Sequence, residues 1–381
     1  MKTKRILIAM DSFKGTHTSR QAADRVEAAV LAVSDGFSFE KISLADGGEG
    51  TTDAFLETLG GERISLTVSD PLGRPIVAEY GILPDGTAVV ETAAAAGLTL
   101  LSDGERDPRI TTTYGVGEMV RHAVVERGCR RVILGLGGSA TNDGGAGFAE
   151  ALGVRFLDDG GKPLPRGGAA LARLAHIDLT GREPQLAETE LIAACDVDNP
   201  ICGERGATYV FGRQKGADSA MRDELEEALK RYAAVLSETV GYDAFAIAGG
   251  GAAGGLGLAV QVLTGGIFRQ GIELLAETLS LKERIARADL VITGEGKTDS
   301  QTCQGKLPIG VARLCREMGK PCMLISGALV GDPTPLYEAG ITEAHETRRP
   351  GMTLEEELAT SAACLTACAA RVIPSYFSKN T

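Results

Sequence analysis

Glycine-rich loops that directly follow short apolar segments constrain the fold of this chain more than any other feature. Glycine accounts for 50 of the 381 residues, against a usual share of roughly 7%. Five loops mix glycine with Asp, Glu, Asn, Ser, Thr or Lys, and each follows a predicted strand. They span residues 10–15, 45–51, 135–145, 194–200 and 293–300. In open α/β folds, ligands bind at the carboxyl ends of the strands, so we expect these loops to converge there.

Strand and helix patterns alternate at both ends of the chain. Lys4–Met10 and Leu290–Thr293 are predicted buried strands, while Ser19–Val33 and Leu307–Met318 carry apolar residues at helical spacing. This alternation predicts βαβ units and parallel sheet.

The middle of the chain follows a different pattern. Ala78–Ile82 and Ala88–Thr92 predict a hairpin around Pro84-Asp85-Gly86. Thr111–Arg127 is a predicted helix, and a further helix is expected to begin at Phe148. Because the two ends resemble each other and the middle does not, an inserted second domain is favoured over two domains in tandem.

Charge and segment composition exclude several classes of protein. Lys and Arg total 39 and Asp and Glu total 51, a net charge of −12 that argues against nucleic-acid or anionic-membrane binding. The apolar segment Ile6–Met10 is too short for an export signal, and Ala244–Phe268 is predicted to be a buried glycine-rich loop leading into a helix. Eight cysteines without a CxxC pair argue against a zinc site. We therefore expect a cytoplasmic protein.

The loops supply the three parts that phosphoryl transfer needs: a phosphate cradle, a cation site and a positioned acceptor. Backbone amides of glycine loops bind phosphate, and the preferred cradle is Gly137, Gly138, Ser139, Ala140 and Thr141. Lysines can neutralise phosphoryl oxygens, and the candidates are Lys14, Lys215, Lys297 and Lys306. Carboxylates can hold Mg²⁺ or accept a hydroxyl proton; the candidates are Asp46, Glu49, Asp196, Asp198, Glu295 and Asp299.

Other nucleotide-binding motifs fit less well. A Walker A motif is absent, because Val291 stands where it requires glycine. Gly135–Ala140 matches the dinucleotide fingerprint, with Asp158 downstream, but polar residues 141–143 replace the apolar helix start that a dehydrogenase would have. No GxSxG nucleophile elbow is present in the sequence.

Eight collinear segments between Lys4 and about Arg371 carry a further similarity. They are DSFKG (11–15), ADGGEGT (45–51), GGSATNDGGAG (137–147), ACDVDNP (194–200), FGRQKGA (211–217), GAAGGLG (251–257), TGEGKTDSQ (293–301) and GKLPIGVA (305–312). In these segments the chain resembles the type I glycerate kinase family.

The resemblance implies phosphorylation of D-glycerate by ATP and Mg²⁺, most often at the 2-hydroxyl. It also implies a Rossmann-like parallel-sheet domain formed by both chain ends, with a second α/β domain inserted and the active site in the cleft between them. We place the first domain at 1–64 and 282–381 and the insertion at 65–281. The expected partner is a small-molecule substrate, with no nucleic acid and no membrane, and the chain is a possible homo-oligomer.

Three positions depart from the family pattern. The family commonly has Pro where Met10 stands, Arg where Lys297 stands and Arg near Tyr114. Lysine at 297 lacks the two-pronged fork with which a guanidinium holds phosphate or carboxylate. The alternatives are phosphorylation at the 3-hydroxyl, another small hydroxy-acid substrate, or a non-catalytic sugar-acid binding protein.

Individual roles are assigned as hypotheses. Asp143 either orients the acceptor or caps the following helix, and Asp198-Asn199-Pro200 either faces a ligand or forms an Asx turn. The expected catalytic residues are Asp196, Lys215 and Lys297. The expected metal ligands are Asp198, Glu295 and Asp299. Substrate binding is assigned to Asp11, Ser12, Lys14, Asp46, Asp143 and Asn199.

Overall fold

The computed structural model describes residues 3–13, 15–44, 48, 50–299, 302 and 307–379, with the side chain of Leu354 excepted. It is a mixed α/β protein whose two main sheets are mostly parallel, which confirms the predicted fold class.

Strands and helices of the described residues have the following bounds. The strands are β1 Lys4–Met10, β2 Phe37–Ser43, β3 Glu62–Ser69, β4 Pro75–Ile82, β5 Ala88–Glu91, β6 Arg131–Gly135, β7 Arg155–Leu157, β8 His176–Asp178, β9 Glu190–Ala194, β10 Ile267–Arg269, β11 Leu290–Thr293, β12 Lys297–Thr298, β13 Cys322–Ser326, β14 Ala328–Leu329 and β15 Glu343–Glu346. The α-helices are α1 Ser19–Leu31, α2 Thr51–Leu59, α3 Ala93–Ala96, α4 Tyr114–Arg121, α5 Ala146–Ala151, α6 Ala207–Phe211, α7 Ser219–Val240, α8 Leu256–Thr264, α9 Gly271–Thr278, α10 Leu281–Arg287, α11 Leu307–Glu317, α12 Thr334–Ala339 and α13 Leu354–Lys379.

The chain divides into two compact units. The first unit comprises Met1–Asp46, Asp53–Leu59 and Gly271–Thr381, and the second unit comprises Gly47–Thr52 and Gly60–Gln270. These limits differ from the domain edges expected at 64 and 281. Strand β3 pairs with β4 in the sheet of the second unit, and α9 packs on α10 and α11 of the first unit.

The first unit is built on a parallel sheet with the strand order β15-β13-β11-β1-β2. Ile6 of β1 lies beside Leu290 of β11 on one side and Phe39 of β2 on the other, so strands from both ends of the chain are neighbours. Helices α1 and α13 pack on the face that carries Ile6 and Ile8. Parallel strands connected through helices place their carboxyl ends along one edge of the sheet.

Helix α13 is long and apolar enough over Glu355–Lys379 to cross a membrane by length and composition alone. In the structure, Leu365, Ala369 and Ile373 of this helix are fully buried in the core that it shares with α1 and β1. Packing against the sheet of the first unit therefore accounts for its apolar face.

The second unit is built on a mixed sheet with the strand order β10-β9-β6-β5-β4-β3. The predicted hairpin is confirmed, because β4 and β5 pair antiparallel. Strands β5, β6, β9 and β10 run parallel to one another. Their carboxyl ends lie along one edge of this sheet, at Glu91, Gly135, Ala194 and Arg269.

Helix starts in the second unit differ from the sequence predictions. The helix expected over Thr111–Arg127 begins at Tyr114 and ends in a π-helical turn over His122–Glu126. It starts late because Thr113 donates hydrogen bonds to a buried carboxylate through both its amide and its hydroxyl. The helix expected from Phe148 begins two residues earlier, at Ala146.

Candidate active site

A cavity of about 590 Å³ lies in the first unit, at the carboxyl ends of β1, β11, β13 and β15. We call it the first-unit cavity. The loops after β1 and β11, two of the five predicted glycine loops, both line it. The predicted site residues among its lining are Asp11, Ser12, Glu295, Lys297 and Asp299.

Close backbone approach shapes one wall of the first-unit cavity. A Cβ atom on Gly294 would lie 2.0 Å from the Ile325 carbonyl oxygen, and one on Gly327 would lie 2.2 Å from the Gly296 carbonyl oxygen. No side chain fits at either position, since these distances are far below van der Waals contact. Glycine there lets the loops after β11 and β13 meet.

Glu295, in the loop that follows β11, has a carboxylate held by hydrogen bonds. One of its carboxylate oxygens accepts hydrogen bonds from the hydroxyls of Thr298, at 3.0 Å, and Thr302, at 2.7 Å. Lys297 is 61% exposed, and its ammonium nitrogen lies 3.2 Å from a carboxylate oxygen of Asp299. The segment therefore presents to the cavity one hydrogen-bonded carboxylate and one ion pair whose lysine is exposed.

Sequence reasoning missed several residues that line this cavity. Arg348 follows β15, and Glu357, Thr360 and Ser361 lie on α13. Nothing in the segment Glu346-Thr347-Arg348-Arg349 distinguishes its two arginines, so only the tertiary structure identifies Arg348 as a cavity residue.

The predicted phosphate cradle, which we call the glycine loop (Gly137–Thr141), follows β6 in the second unit. Gly138 has a φ of +73°, and the loop is held by hydrogen bonds from Ala140 N to Ala96 O and from Leu98 N to Gly138 O. Within the described residues, the amides of Gly137, Gly138 and Ser139 donate to no other backbone group. Gly138 is exposed. An anion bound here would therefore displace no backbone acceptor of these amides.

Asp143 lies just beyond the glycine loop and is buried. It accepts hydrogen bonds from the Thr113 amide at 2.8 Å, the Thr113 hydroxyl at 2.9 Å and the Gly145 amide at 3.1 Å. Burial raises the pKa of Asp143, while these donors act in the opposite direction. Its carboxylate is already occupied by the protein's own donors at the starts of α4 and α5. Of its two possible roles, this geometry supports capping rather than substrate binding.

Lys215 lies behind the glycine loop and is 2% exposed. Its ammonium group donates a hydrogen bond of 2.7 Å to the Thr141 carbonyl oxygen. Burial lowers the pKa of Lys215 to about 7, and the charge of Asp143 partly opposes that shift. This hydrogen bond ties Lys215 to the backbone at the end of the glycine loop.

The loop after β9 carries the predicted residues Asp196, Asp198 and Asn199. Asp196 is exposed. Asp198 forms an ion pair of 2.7 Å with Arg205, and the Asn199 side-chain amide donates to the Arg205 carbonyl oxygen. Asp198 and Asn199 thus hold the loop to its own downstream turn.

Acidic residues do not form a ready-made metal centre in the part of the chain that the structure describes. No group of three or more His, Cys, Asp and Glu side chains is placed there to hold a metal ion. Asp198 belongs to the second unit, whereas Glu295 and Asp299 belong to the first. The predicted residues Lys14 and Asp46, like Glu49 and Lys306, lie outside the described residues.

Glu91, at the end of β5, is a further carboxylate that sequence reasoning missed. It accepts hydrogen bonds from the amides of Thr52, at 2.7 Å, and Gly50, at 3.1 Å, where α2 begins. A negative charge at a helix N-terminus is favourable. The sequence does carry a signal for Glu91, because it is a single carboxylate at the end of an otherwise apolar strand.

Comparison with known proteins relates the whole chain to one family. The model of the glycerate kinase family matches residues 6–376. A glycerate kinase of Halalkalibacterium halodurans is 43% identical over 354 residues, covering 93% of each chain. The glycerate 2-kinase of Escherichia coli K12 is 40% identical over 353 residues, covering 92% of each chain.

A solved structure shows the same similarity in three dimensions. It is the crystal structure of a protein described as glycerate kinase 2 from Salmonella typhimurium LT2. It superposes with a TM-score of 0.88 at 39% sequence identity and covers 100% of both chains.

Proposed function

The chain belongs to the glycerate kinase family, and from this membership we propose that it transfers a phosphoryl group from ATP to D-glycerate, giving 2-phosphoglycerate and ADP. The family match over residues 6–376 is the observation that carries the proposal. The name of the Escherichia coli relative, glycerate 2-kinase, supports the 2-hydroxyl as acceptor.

The first-unit cavity supports this reaction by its size and by its charges. Its volume of about 590 Å³ lies in the range typical of small-molecule sites. Lys297 and Arg348 supply positive charge for an anionic reactant, and Ser12 supplies a hydroxyl. Phosphoryl transfer depends chiefly on positioning and electrostatic stabilisation, which such groups provide.

Carboxylates that line the first-unit cavity are the candidate ligands for a magnesium ion. Asp11, Glu295 and Asp299 all line it, and Mg²⁺ prefers oxygen ligands, usually one or two carboxylates together with substrate phosphates. We assign Glu295 and Asp299 to this role because both line the cavity, whereas Asp198 does not. When bound, the ion neutralises charge on the phosphoryl oxygens.

In the second unit, we assign the exposed Asp196 as the general base that accepts the proton of the substrate hydroxyl. A carboxylate within hydrogen-bond reach of the substrate hydroxyl can take its proton. The amides of Gly137, Gly138 and Ser139 provide anion-binding donors. Lys215 acts through its hydrogen bond to Thr141 and keeps those amides in position.

Product analysis tests the proposal. The purified protein is incubated with ATP, Mg²⁺ and D-glycerate, and the reaction is followed by ADP release and phosphorus NMR, with Mg²⁺-free and L-glycerate controls. We expect ADP in step with 2-phosphoglycerate. A 3-phosphoglycerate signal would reassign the hydroxyl. Binding of D-glycerate without ADP release would instead support a sugar-acid binding protein.

The remaining expectations concern the protein's surroundings. A cytoplasmic location, the absence of nucleic-acid and membrane partners and a possible homo-oligomer stay predictions. The net charge of −12 supports the expected absence of nucleic-acid and membrane partners, because polyanionic partners would be repelled.

A further inference from the structure

We propose that the guanidinium of Arg348 binds the anionic group of a reactant in the first-unit cavity and so determines which reactants the cavity accepts. The inference rests on the proposed function and adds the residue that recognises an oxyanion there. The sequence analysis had named four lysines for neutralising phosphoryl oxygens: Lys14, Lys215, Lys297 and Lys306.

The backbone places Arg348 firmly at the cavity wall. The amide of Thr347 donates to the Ser326 carbonyl oxygen at 2.8 Å, and the amide of Arg348 donates to the Gly327 carbonyl oxygen at 2.9 Å. These bonds continue the pairing of β13 with β15 past the ends of both strands. Arg348 therefore starts from a fixed point beside the tight contact of Gly327 with Gly296.

The side chain of Arg348 is oriented but not saturated. One terminal nitrogen of the guanidinium, Nη2, lies 3.1 Å from a carboxylate oxygen of Glu346. The second terminal nitrogen, Nη1, lies 4.0 Å from a carboxylate oxygen of Glu357, which is too far for a hydrogen bond. A guanidinium carries five N–H donors in a planar fork. Most of these donors have no acceptor among the described residues, and the side chain is 37% exposed.

Among the described residues that line the cavity, two side-chain cations, Lys297 and Arg348, could bind an anionic ligand. Carboxylates predominate, since Asp11, Glu295, Asp299 and Glu357 line the cavity against the cations Lys297 and Arg348. Lys297 presents a single point charge next to Asp299. Arg348 alone of these two cations offers a planar fork that matches a carboxylate or phosphate with two parallel hydrogen bonds.

Two reactants carry such a group: the hydroxy-acid through its carboxylate and the nucleotide through its phosphates. The chemistry of recognition is the same for both. Michaelis constants measured separately for the two reactants identify the one whose anionic group Arg348 binds.

The experiment compares Arg348→Gln and Arg348→Lys with Arg349→Gln in the full-length protein. Arg349 is the matched control, because it is the adjacent arginine, is exposed and does not line the cavity. Steady-state kinetics give KM for D-glycerate and for ATP. Calorimetric titrations with ADP and with 2-phosphoglycerate measure binding without turnover, and thermal melting checks folding.

For Arg348→Gln we expect KM for one reactant to rise about tenfold to hundredfold, the range expected for loss of a charge-assisted hydrogen bond. The kcat should stay within about threefold, since a group that binds ground and transition states equally affects KM. Arg348→Lys should fall in between because it keeps the charge and loses the fork. Arg349→Gln should stay within twofold of wild type.

Equal kinetics for Arg348→Gln and Arg349→Gln would overturn the proposal, as would a loss of kcat with both KM values unchanged. Wild-type protein that binds neither ADP nor 2-phosphoglycerate would also overturn it. Weakened binding in Arg348→Gln by a protein without kinase turnover would retain the role of Arg348 and refute the proposed function instead.

Discussion

The ammonium group of Lys215 donates a hydrogen bond of 2.7 Å to the carbonyl oxygen of Thr141, a residue 74 positions earlier in the chain. This contact ties the end of the glycine loop to the segment before α7. Lys215 also lies within electrostatic range of Asp143, which binds the starts of α4 and α5. The buried pair therefore fixes the backbone at the end of the glycine loop.

Replacing Lys215 with alanine should destabilise the protein substantially. The change removes the bond to Thr141 and leaves a cavity where the methylene chain was buried, a combination that costs about 2–4 kcal/mol. Urea denaturation measures the loss in the free energy of unfolding. Lys282→Ala is the control, because Lys282 is exposed in a surface ion pair with Glu317 and should cost under ~1 kcal/mol. Equal losses in the two variants would contradict the structural role of Lys215.

The buried lysine also predicts how stability depends on pH. Its pKa is lowered to about 7 in the native state, while an unfolded lysine has a pKa near 10.5. Between these values the unfolded state binds more protons, so the free energy of unfolding rises with pH, by up to about 1.4 kcal/mol per pH unit. Below pH 7 the ammonium is charged in both states and its contribution is constant.

Urea titrations of wild type and Lys215→Ala at pH 6, 7.5 and 9 isolate this contribution. The stability difference in favour of wild type should be least at pH 6 and greatest at pH 9. A difference that stays constant across this range would show that the native pKa of Lys215 is not lowered.

Gly327→Ala tests the close approach at the wall of the first-unit cavity. The new methyl group would meet the Gly296 carbonyl oxygen at 2.2 Å, which forces the loop apart and should cost roughly 1–3 kcal/mol. Activity should fall with it, because the displaced loop carries Glu295 and Lys297. Gly104→Ala is the matched control, since nothing lies within 4 Å of its added Cβ. The melting temperature and kcat/KM are measured for both variants. Wild-type values for Gly327→Ala would show that the close contact of Gly327 with Gly296 does not constrain the cavity wall.

Asp196→Asn separates catalysis from folding. Asp196 is exposed, so the substitution should leave the melting temperature nearly unchanged. If its carboxylate accepts the substrate proton, kcat should fall by about 10²–10⁴-fold. Asp159→Asn, at another exposed aspartate, should keep full activity. Near-wild-type turnover in Asp196→Asn would remove Asp196 from the catalytic assignment.

The positions of the candidate loops could be predicted, but the contacts of their side chains could not. Apolar runs such as Leu290–Thr293 are long enough to identify strands, and the structure has β11 at these residues. The pairing of Asp198 with Arg205 and the burial of Asp143 involve partners that no spacing rule connects. Such contacts depend on which segments the tertiary fold brings together.

The order of apolar runs and glycine loops by itself determined the fold class and the family, because both are encoded in local hydrophobic periodicity and in contiguous motifs. Only the tertiary structure decided which charged groups are buried and which face a cavity. Lysines 215 and 297 look alike in the sequence, yet one is 2% and the other 61% exposed. Burial is set by segments that are distant along the chain and adjacent in space, and it governs desolvation and therefore charge.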